Sequence, residues 1–473
     1  MRSLFGYLLV SMLSAIIGLL AIPISTRLFD QQLLGQLNLL ISIALVVYVV
    51  LLLGLDQGFI RFYYDLKSVD ARKALLVRSL CLPVLLSSVV ILIAFAFRDR
   101  LGAYFNGPPT LVALALGGLI LSLILLRFVI CFCRVANRLV LFGLFTIINV
   151  IFSKCICLLN PSEKSFSTTL KVIILCTALL SIICLYLLTK YSFSSGILHR
   201  SSTAYRKLLC YSLPLMPAML LSTVNANIPL LFVRHILDFS AVGLFSMSVT
   251  VSSAINVIGS GINSFWPTYV FKKYDTNQHV IQLFHRVLTL CLFILASILI
   301  AFRAVVPLFL GRGYEGSGSL FAILIISPLC YSIGETAGIG IHIKKKSYLY
   351  LIVYLLGLLI NVVLCLVMTS LLGVVGAAIS VSLTAVVLLL AKAIIGNRLY
   401  NSTGSLRWLV GAIILTSVQA IVCQVVLDYV VTLIISGACI GIFPLVVGVS
   451  GFKQDCKEAA YYISSSVCKR KEG

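Results

Sequence analysis

Residues 21–65 contain the pattern that decides the fold. They run from the end of one apolar stretch through the turn IPISTRLFDQQLLG (22–35), a second apolar stretch (37–55) and the basic exit DQGFIRFYYD (56–65). The pattern returns as IPLLFVRHILDFSAVG (228–243), a further apolar stretch and TYVFKKYD (268–275). The pairs Pro23 and Pro229, Arg27 and Arg234, Gly35 and Gly243, and Asp65 and Asp275 are offset by 206, 207, 208 and 210 residues. A nearly constant offset indicates an internal parallel repeat, so we expect two related halves.

The composition is that of an integral membrane protein. Of the 473 residues, 61% are hydrophobic and only 11% are charged, and the mean hydropathy is +1.13. Long apolar runs recur along the chain, and each must be helical because unpaired backbone groups are not tolerated in hydrocarbon. We therefore predict an all-α fold with about fourteen transmembrane helices. The predicted spans are 4–24, 36–56, 75–97, 109–130, 139–159, 170–189, 209–233, 242–265, 285–305, 320–341, 348–368, 373–395, 408–427 and 431–451.

Basic residues are distributed unevenly between the two ends of the predicted helices. The net charge of +22 would indicate a nucleic-acid partner in a soluble chain. Here, 27 of the 36 basic residues fall in the alternate segments that share a side with the amino terminus. This bias follows the positive-inside rule, so we expect both termini in the cytoplasm and no nucleic-acid partner.

The longest polar inner connection, TKYSFSSGILHRSSTAYRK (189–207), marks the junction of the two halves. We predict a first lobe of six spans, with its linker, over 1–200 and a second lobe of six spans over 201–400. Two appended spans follow over 401–451, and 452–473 is a basic cytoplasmic tail that suits an anionic inner leaflet. In transporters built from repeats, such lobes enclose a site near the membrane midplane and alternate access to it by rocking.

Cysteine, histidine and glycine motifs do not indicate an enzyme or a metal site. The fifteen cysteines lie mostly within or beside apolar runs and form no CxxC pair. The five histidines are scattered and accompany no nucleophile motif. GRGYEG (311–316) matches GxGxxG but follows a membrane run, so it predicts only a loop. We expect no catalytic residue, no cofactor and no metal, and the short outer loops disfavour a membrane polymerase or ligase.

Ionisable residues at membrane depth are the strongest site candidates, because charge in hydrocarbon is costly and usually functional. They are Asp56, Arg127, Lys154, Arg234, Arg303, Glu335 and Lys392, with Arg27 just beyond its span. For Arg127, Arg303 and Lys392, near span ends, the alternative is that their head groups extend to the membrane surface. A cavity lined mainly by cations favours an anion, and the arginine fork suits a diphosphate.

These residues divide into two predicted roles. We expect Arg27, Arg234, Lys154 and Arg61 to bind the substrate, and Glu335 and Asp56 to couple transport to an ion. Capping of neighbouring helix ends is the alternative for the repeat-related pair Arg27 and Arg234. A desolvated carboxylate at Glu335 could take up and release a proton as the lobes alternate. Pairing with a basic residue on an adjacent helix, which the small residues Gly334 and Gly338 would admit, is the alternative there.

Several stretches together carry a family resemblance over most of 1–400. They are IPISTRLFD with Gly35, GLDQGFIRFYYD (54–65), SLPLMPAML (212–220), AVGLFSMSVTVSSAINVIGSGINSFWPTYV (241–270), LFLGRGY (308–314) and INVVLCLVMTSLLGVVGAAIS (360–380). They resemble the polysaccharide and O-antigen flippases of the multidrug/oligosaccharidyl-lipid/polysaccharide (MOP) exporter superfamily, whose members have twelve or fourteen spans.

The resemblance implies a bilobed transporter in the bacterial cytoplasmic membrane. Its substrate would be an undecaprenyl-diphosphate-linked oligosaccharide, such as an O-antigen unit for lipopolysaccharide, moved from the inner to the outer leaflet. The expected partners are this lipid-linked oligosaccharide, membrane lipids, a polysaccharide polymerase and a chain-length regulator. A cation-coupled multidrug exporter of the same superfamily is the alternative, and it should keep buried carboxylates in its lobes. The first lobe offers only Asp56, at a span end.

Overall fold

The computed structural model describes most of the chain as helices and turns, without a strand in the described part. The described residues are 2–66, 68–154, 165–192, 202–256, 259, 262, 266–267, 269–271, 274–311, 313–344, 346, 348–426 and 428–468, with the side chains of 2–9, 11–12, 15, 152–154, 191–192, 202–205 and 459–468 excluded. The chain divides into two compact units, Met1–Ser246 and Met247–Gly473. The predicted lobe limits at 200 and 400 stay predictions.

The first unit is built around one long, largely buried helix, α6. Its helices are α1 (Arg2–Leu28), α2 (Gln31–Leu52), α3 (Leu55–Tyr63), α4 (Val69–Ala96), α5 (Arg98–Phe105), α6 (Pro109–Val135), α7 (Leu139–Lys154), α8 (Phe166–Ser192), α9 (Ser202–Ser212), α10 (Met216–Ile236) and the start of α11 (Phe239–Ser252). Helix α6 packs against α2, α4, α5, α7 and α8. Its apolar residues are therefore buried on several faces, as expected of a central membrane helix.

The second unit contains the remaining helices. They are α12 (Gln278–Ala301), α13 (Val305–Leu310), α14 (Ser317–Leu324), α15 (Ile326–Ala337), α16 (Ile339–Ile343), α17 (Tyr348–Leu399), α18 (Arg407–Val425), α19 (Tyr429–Val447) and α20 (Val449–Cys468). Helices α18 and α19, predicted as the appended pair, pack on α12. Phe293 of α12 stacks on Phe443 of α19 at 4.7 Å, and Trp408 of α18 meets Phe443 edge-on.

The predicted membrane class is confirmed. Ten helices in the described residues are long and apolar enough to cross a membrane. Three shorter apolar helices, Ile16–Leu28, Leu139–Ile151 and Phe239–Ile255, fall where the sequence predicts spans one, five and eight. The 52-residue α17 is two helices joined at Gly373, whose backbone (φ 59°, ψ −136°) is not helical. This junction lies at the short SLLG turn predicted between spans eleven and twelve, so the described helices account for about fourteen spans.

Spans two and fourteen end earlier than predicted, and backbone conformation explains both differences. Span two was expected to reach residue 56, but α2 ends at Leu52 because Leu53 and Gly54 take positive φ angles of 51° and 69°. Span fourteen was expected to reach 451, but α19 ends at Val447, before Gly448 with φ 102°. Only glycine adopts such angles without cost, and helices commonly end at them.

Contacts within the first unit join residues that the repeat makes equivalent. Asp30 caps α2 by accepting from Leu33 N–H at 3.0 Å, and Asp238 caps α11 by accepting from Ala241 N–H at 2.7 Å. A Cβ on Gly35 would clash with the Phe239 carbonyl and the Gly243 nitrogen. Asn38 donates to the hydroxyl of Ser246, also 208 residues away, at 2.9 Å. The offset of 208 therefore relates helix starts that are capped alike and that pack against each other.

Candidate functional site

The first unit contains a buried ion pair between Asp56 and Arg127. The Asp56 side chain is fully buried, and its Oδ2 accepts from Arg127 Nε at 3.0 Å and Nη2 at 2.7 Å. The amide of Gln57 donates to the same oxygen at 2.9 Å. Oδ1 is buried and has no hydrogen-bond partner among the described residues. The carboxylate is thus neutralised from one side only.

The break after α2 explains why Asp56 is buried at this place. Helix α3 restarts at Leu55 with Gly54 as its cap, so Asp56 lies in the first turn, where the helix dipole favours a carboxylate. Gly58 faces α9, because a Cβ there would clash with the Ser212 side chain, and a Cβ on Gly54 would lie 2.6 Å from the Ser212 carbonyl. The glycines of GLDQG therefore let α9 cover the start of α3.

A second charged cluster lies in the second unit around Lys392. This lysine is only 3% exposed, and its ammonium donates to the Tyr354 hydroxyl at 3.0 Å and lies over the Tyr354 and Tyr350 rings. The Tyr350 hydroxyl donates to the Gly338 carbonyl at 2.9 Å, and its ring packs on His342 at 4.7 Å. The extension of Lys392 to the membrane surface, considered from the sequence, is wrong.

Glu335 lies beside this cluster on α15 and is half-buried. Its carboxylate is within electrostatic range of Tyr350. A Cβ on the preceding Gly334 would lie 3.9 Å from the Lys392 ammonium, and one on Gly338 would lie 2.7 Å from the Tyr350 hydroxyl. The predicted close approach of a neighbouring helix at these glycines is confirmed. Among the described residues, however, no ion pair within 4.0 Å includes Glu335.

Arg303 has a structural role that the sequence did not indicate. It is 3% exposed and donates to the carbonyls of Cys423 and Val426, the latter at 2.6 Å, and to the Thr432 hydroxyl at 3.2 Å. These groups are at the end of α18 and the start of α19, where helical carbonyls lack partners within the helix. Arg303 thus caps one helix and joins it to the next. The burial of Arg303 contradicts its extension to the membrane surface, whereas Arg127 binds Asp56 and is 34% exposed, so the alternative stays open for Arg127.

The predicted substrate-binding residues occupy different environments. Arg27 and Arg234 both lie in the last turn of their helices, α1 and α10. Arg27 is exposed, whereas Arg234 donates to the Tyr104 carbonyl at 3.0 Å and lies 4.0 Å above the Phe239 ring. Arg61 is exposed and pairs with Asp65 at 3.0 Å. Lys154 is the last residue of α7, and its side chain is outside the described residues.

The structure therefore brings together residues that sequence reasoning treated singly. It joins Asp56 to Arg127 and places Lys392 beside Gly334, the neighbour of Glu335 in the chain. The available signal was that each acid within a span had a basic residue in a later span of the same half. His285, which the sequence did not single out, is fully buried with Nδ1 2.7 Å from the Thr336 hydroxyl. No cluster of three metal-ligating side chains occurs among the residues described.

Comparison with known proteins identifies relatives of the fold. No protein-family model and no curated protein sequence matches the chain. Among solved structures, it is similar to the lipid II flippase MurJ in an inward closed conformation, with a TM-score of 0.69 and 13% identity, over 95% of this chain and 98% of that one.

Two multidrug transporters of the MATE family are also similar. An inward-facing MATE transporter of the MOP superfamily has a TM-score of 0.57 and 14% identity, over 84% of this chain and 96% of its own. A mutant of the Vibrio cholerae MATE transporter VcmN has a TM-score of 0.55 and 13% identity, over 86% of this chain and all of its own. The chain is thus a multi-pass membrane protein with the fold of the MOP-superfamily transporters, as the sequence resemblance implied.

Proposed function

We propose that this protein is a flippase for an undecaprenyl-diphosphate-linked oligosaccharide in the bacterial cytoplasmic membrane. The observation that carries the proposal is the extent of the likeness to the lipid II flippase, which spans 98% of that protein and has a higher TM-score than either MATE transporter. The lipid II flippase and the MATE transporters share one fold but carry different substrates, so the fold alone does not identify the substrate of this protein. The excess of buried and partly buried cations over acids favours an anionic cargo.

The charge balance at membrane depth supports the same choice. A cation-coupled multidrug exporter should keep carboxylates ready to bind its coupling ion. Here, Asp56 is held by Arg127, and the ammonium of Lys392 lies near the Glu335 position. The pairing of Asp56 with Arg127 opposes cation binding there, because the arginine already neutralises the carboxylate. The alternative of a cation-coupled multidrug exporter is therefore weaker. In that alternative the coupling ion would bind Oδ1 of Asp56, which has no hydrogen-bond partner among the described residues.

We assign the diphosphate to the arginines at the repeat-related helix ends, with Lys154 and Arg61 as further contacts. Arg234 carries the clearest signal, because its Nε is buried without a hydrogen-bond partner among the described residues. Stacking on Phe239 holds the guanidinium plane, so a substrate phosphate would meet a preorganised fork. Arg61 must exchange its Asp65 partner to bind substrate. Glu335 and Asp56 are the proposed ion-coupling residues, and Asp56 must exchange its Arg127 partner to take part.

The test of the cargo uses the full-length protein in proteoliposomes. A fluorescent undecaprenyl-diphosphate-linked oligosaccharide is placed in both leaflets, and its exposure to an impermeant quencher is followed over time. We expect faster exchange than in protein-free vesicles, and no such acceleration for a dye typical of multidrug exporters. Acceleration of the dye alone would assign the protein to multidrug export. Deletion in the source bacterium should remove surface polysaccharide and accumulate lipid-linked units.

Variants then test the site. Arg234→Lys keeps the charge and loses the fork, so flipping should fall several-fold, whereas Arg100→Lys on exposed α5 should leave it unchanged. Glu335→Gln keeps shape but cannot change charge. If Glu335 couples transport, this variant reaches the membrane in normal amount yet fails to flip. Normal flipping by Glu335→Gln would leave this residue with a packing role beside Lys392.

A further inference from the structure

A basic cavity of about 520 Å³ lies in the first unit, where α3 and α6 end and α4 begins. Its basic lining residues are Arg72, Lys73 and Arg138, and none of the described residues that line it is acidic. Two tyrosines, Tyr63 and Tyr64, contribute aromatic surface. The volume is many times the ~15 Å³ that one water molecule needs, so the cavity can hold a ligand of many atoms. None of the residues already assigned to transport lines it.

The end of α6 places Arg138 at the cavity. Asn137 takes a left-handed conformation with φ 55°. The Arg138 amide donates to the Cys133 carbonyl at 2.9 Å, and the Asn137 amide donates to the Arg134 carbonyl at 3.3 Å. This pair of bonds is the Schellman motif that ends many helices, and asparagine is one of the residues that tolerate its left-handed position. The turn therefore fixes the backbone that carries Arg138.

Arg72 is held in place while most of its donors stay available. Its Nε donates to the Leu66 carbonyl at 2.9 Å, and its guanidinium lies 4.9 Å over the Tyr63 ring. A guanidinium has five N–H donors, and these contacts use one of them. The ammonium of Lys73, in the next position, makes no hydrogen bond or ion pair with any described residue. Two adjacent cations are thus presented to the cavity, and Arg72 needs little further ordering on binding.

The surroundings of the cavity combine apolar surface with positive charge. Val69 in its lining is 63% exposed, and Val140, at the start of α7 just beyond Arg138, is 84% exposed. Nearby Asp65 is engaged by Arg61 at 3.0 Å, so it does not neutralise the lining. Helix α4 starts and α6 ends on the same face, the one that the distribution of basic residues predicts to be cytoplasmic. A ligand with an anionic head and an apolar tail matches all of these features.

We propose that this cavity binds the phosphate headgroup of an anionic membrane phospholipid, at a site separate from the translocation pathway. Arg72, Lys73 and Arg138 contact the phosphate, and Tyr63 and Tyr64 cover the glycerol region. The tail continues over the exposed apolar residues beside the cavity. A free inorganic phosphate shares the head chemistry but would leave the aromatic and apolar part of the site unused.

The test measures phospholipid binding to the full-length protein by native mass spectrometry, with phosphatidylglycerol and phosphatidylcholine as probes. Near a membrane surface each basic residue changes lipid affinity about fivefold, so Arg72→Gln/Lys73→Gln should weaken phosphatidylglycerol binding about 25-fold. The matched control Arg98→Gln/Arg100→Gln removes two charges from α5, which does not line the cavity, and should change it less than twofold. Lys73→Gln alone, which breaks no described contact, should weaken binding about fivefold and keeps the test decisive if the double variant does not fold.

Competition separates the two sources of phosphate. Millimolar inorganic phosphate should leave bound phosphatidylglycerol in place, and phosphatidylcholine should bind weakly to all variants. Equal loss of phosphatidylglycerol in the Arg72/Lys73 and Arg98/Arg100 variants would overturn the site. Displacement of bound phosphatidylglycerol by inorganic phosphate at a concentration similar to that of the lipid would overturn the lipid assignment. The cavity would then be a site for free phosphate.

Discussion

Removal of Arg127 tests the buried ion pair of the first unit most directly. Arg127→Gln takes two of the three hydrogen bonds from Oδ2 of Asp56 and leaves the fully buried carboxylate with Gln57 alone. Breaking a buried pair by removing one partner costs about 3–5 kcal/mol. The Arg127 side chain is 34% exposed, so water reaches one side of the pair, and we expect about 3 kcal/mol.

Substitution of the other partner, Asp56, should lower the free energy of unfolding by less. In Asp56→Asn the amide oxygen still accepts from Arg127, and the exposed third of the arginine side chain lets water solvate its charge. We expect a loss of about 1 kcal/mol for this variant, close to the value of one hydrogen bond. In the double variant neither charge is left unpaired, so the loss should be about 2 kcal/mol. The coupling free energy between the two positions is then about 2 kcal/mol, within the range for residues in contact.

The assay is reversible unfolding of the purified protein in mixed micelles, with Arg100→Gln on the surface as the control, expected within about 0.5 kcal/mol of the parent. A coupling free energy below about 0.5 kcal/mol would show that Asp56 and Arg127 do not stabilise the protein through their interaction. A larger loss for Asp56→Asn than for Arg127→Gln would refute the reasoning from exposure, since the better solvated partner should survive alone.

Three further outcomes follow from the geometry. Gly35→Ala should lower stability by about 1–3 kcal/mol in the same assay, because the added Cβ meets the Phe239 carbonyl, whereas Gly437→Ala, inside α19 with open space around it, should not lower it. Arg303→Lys should cost about 2 kcal/mol, because one ammonium cannot reach all three oxygens that the guanidinium binds; an unchanged midpoint would contradict the capping role. A periplasmic reporter fused after Gly473 should stay inactive, and activity there would reverse the predicted orientation.

The fold could be predicted from the sequence because the membrane restricts the alternatives. Each long apolar run had to be a helix, and the SLLG turn at Gly373 was visible as a very short gap between two runs. The end of α2 was missed by several residues because hydropathy does not register a reversal of φ at Leu53 within an apolar run. Apolar periodicity therefore locates helices, whereas their ends depend on single backbone angles.

The candidate site was predictable only in part, because partners lie far apart in the chain. Asp56 and Arg127 are 71 residues apart, and Arg303 binds carbonyls 120 or more residues away. The positive charge of Arg127, Arg303 and Lys392 was recognised, but a sequence does not show which acceptor each one meets. A position near a span end suggested extension toward water, whereas burial of the head group required a specific acceptor in another helix.

A charged residue at membrane depth indicates function more strongly when no structural partner accounts for its charge. Arg127 is matched by Asp56, Arg303 by helix carbonyls, and Lys392 by Tyr354, so each has a structural reason to be where it is. Among the described residues, the carboxylate of Glu335 makes no hydrogen bond or ion pair, and the Nε of Arg234 is buried without a partner. A group that folding leaves unsatisfied is destabilising unless a ligand, ion or proton completes it. Glu335 and Arg234 are therefore two positions at which substitution should separate transport from stability.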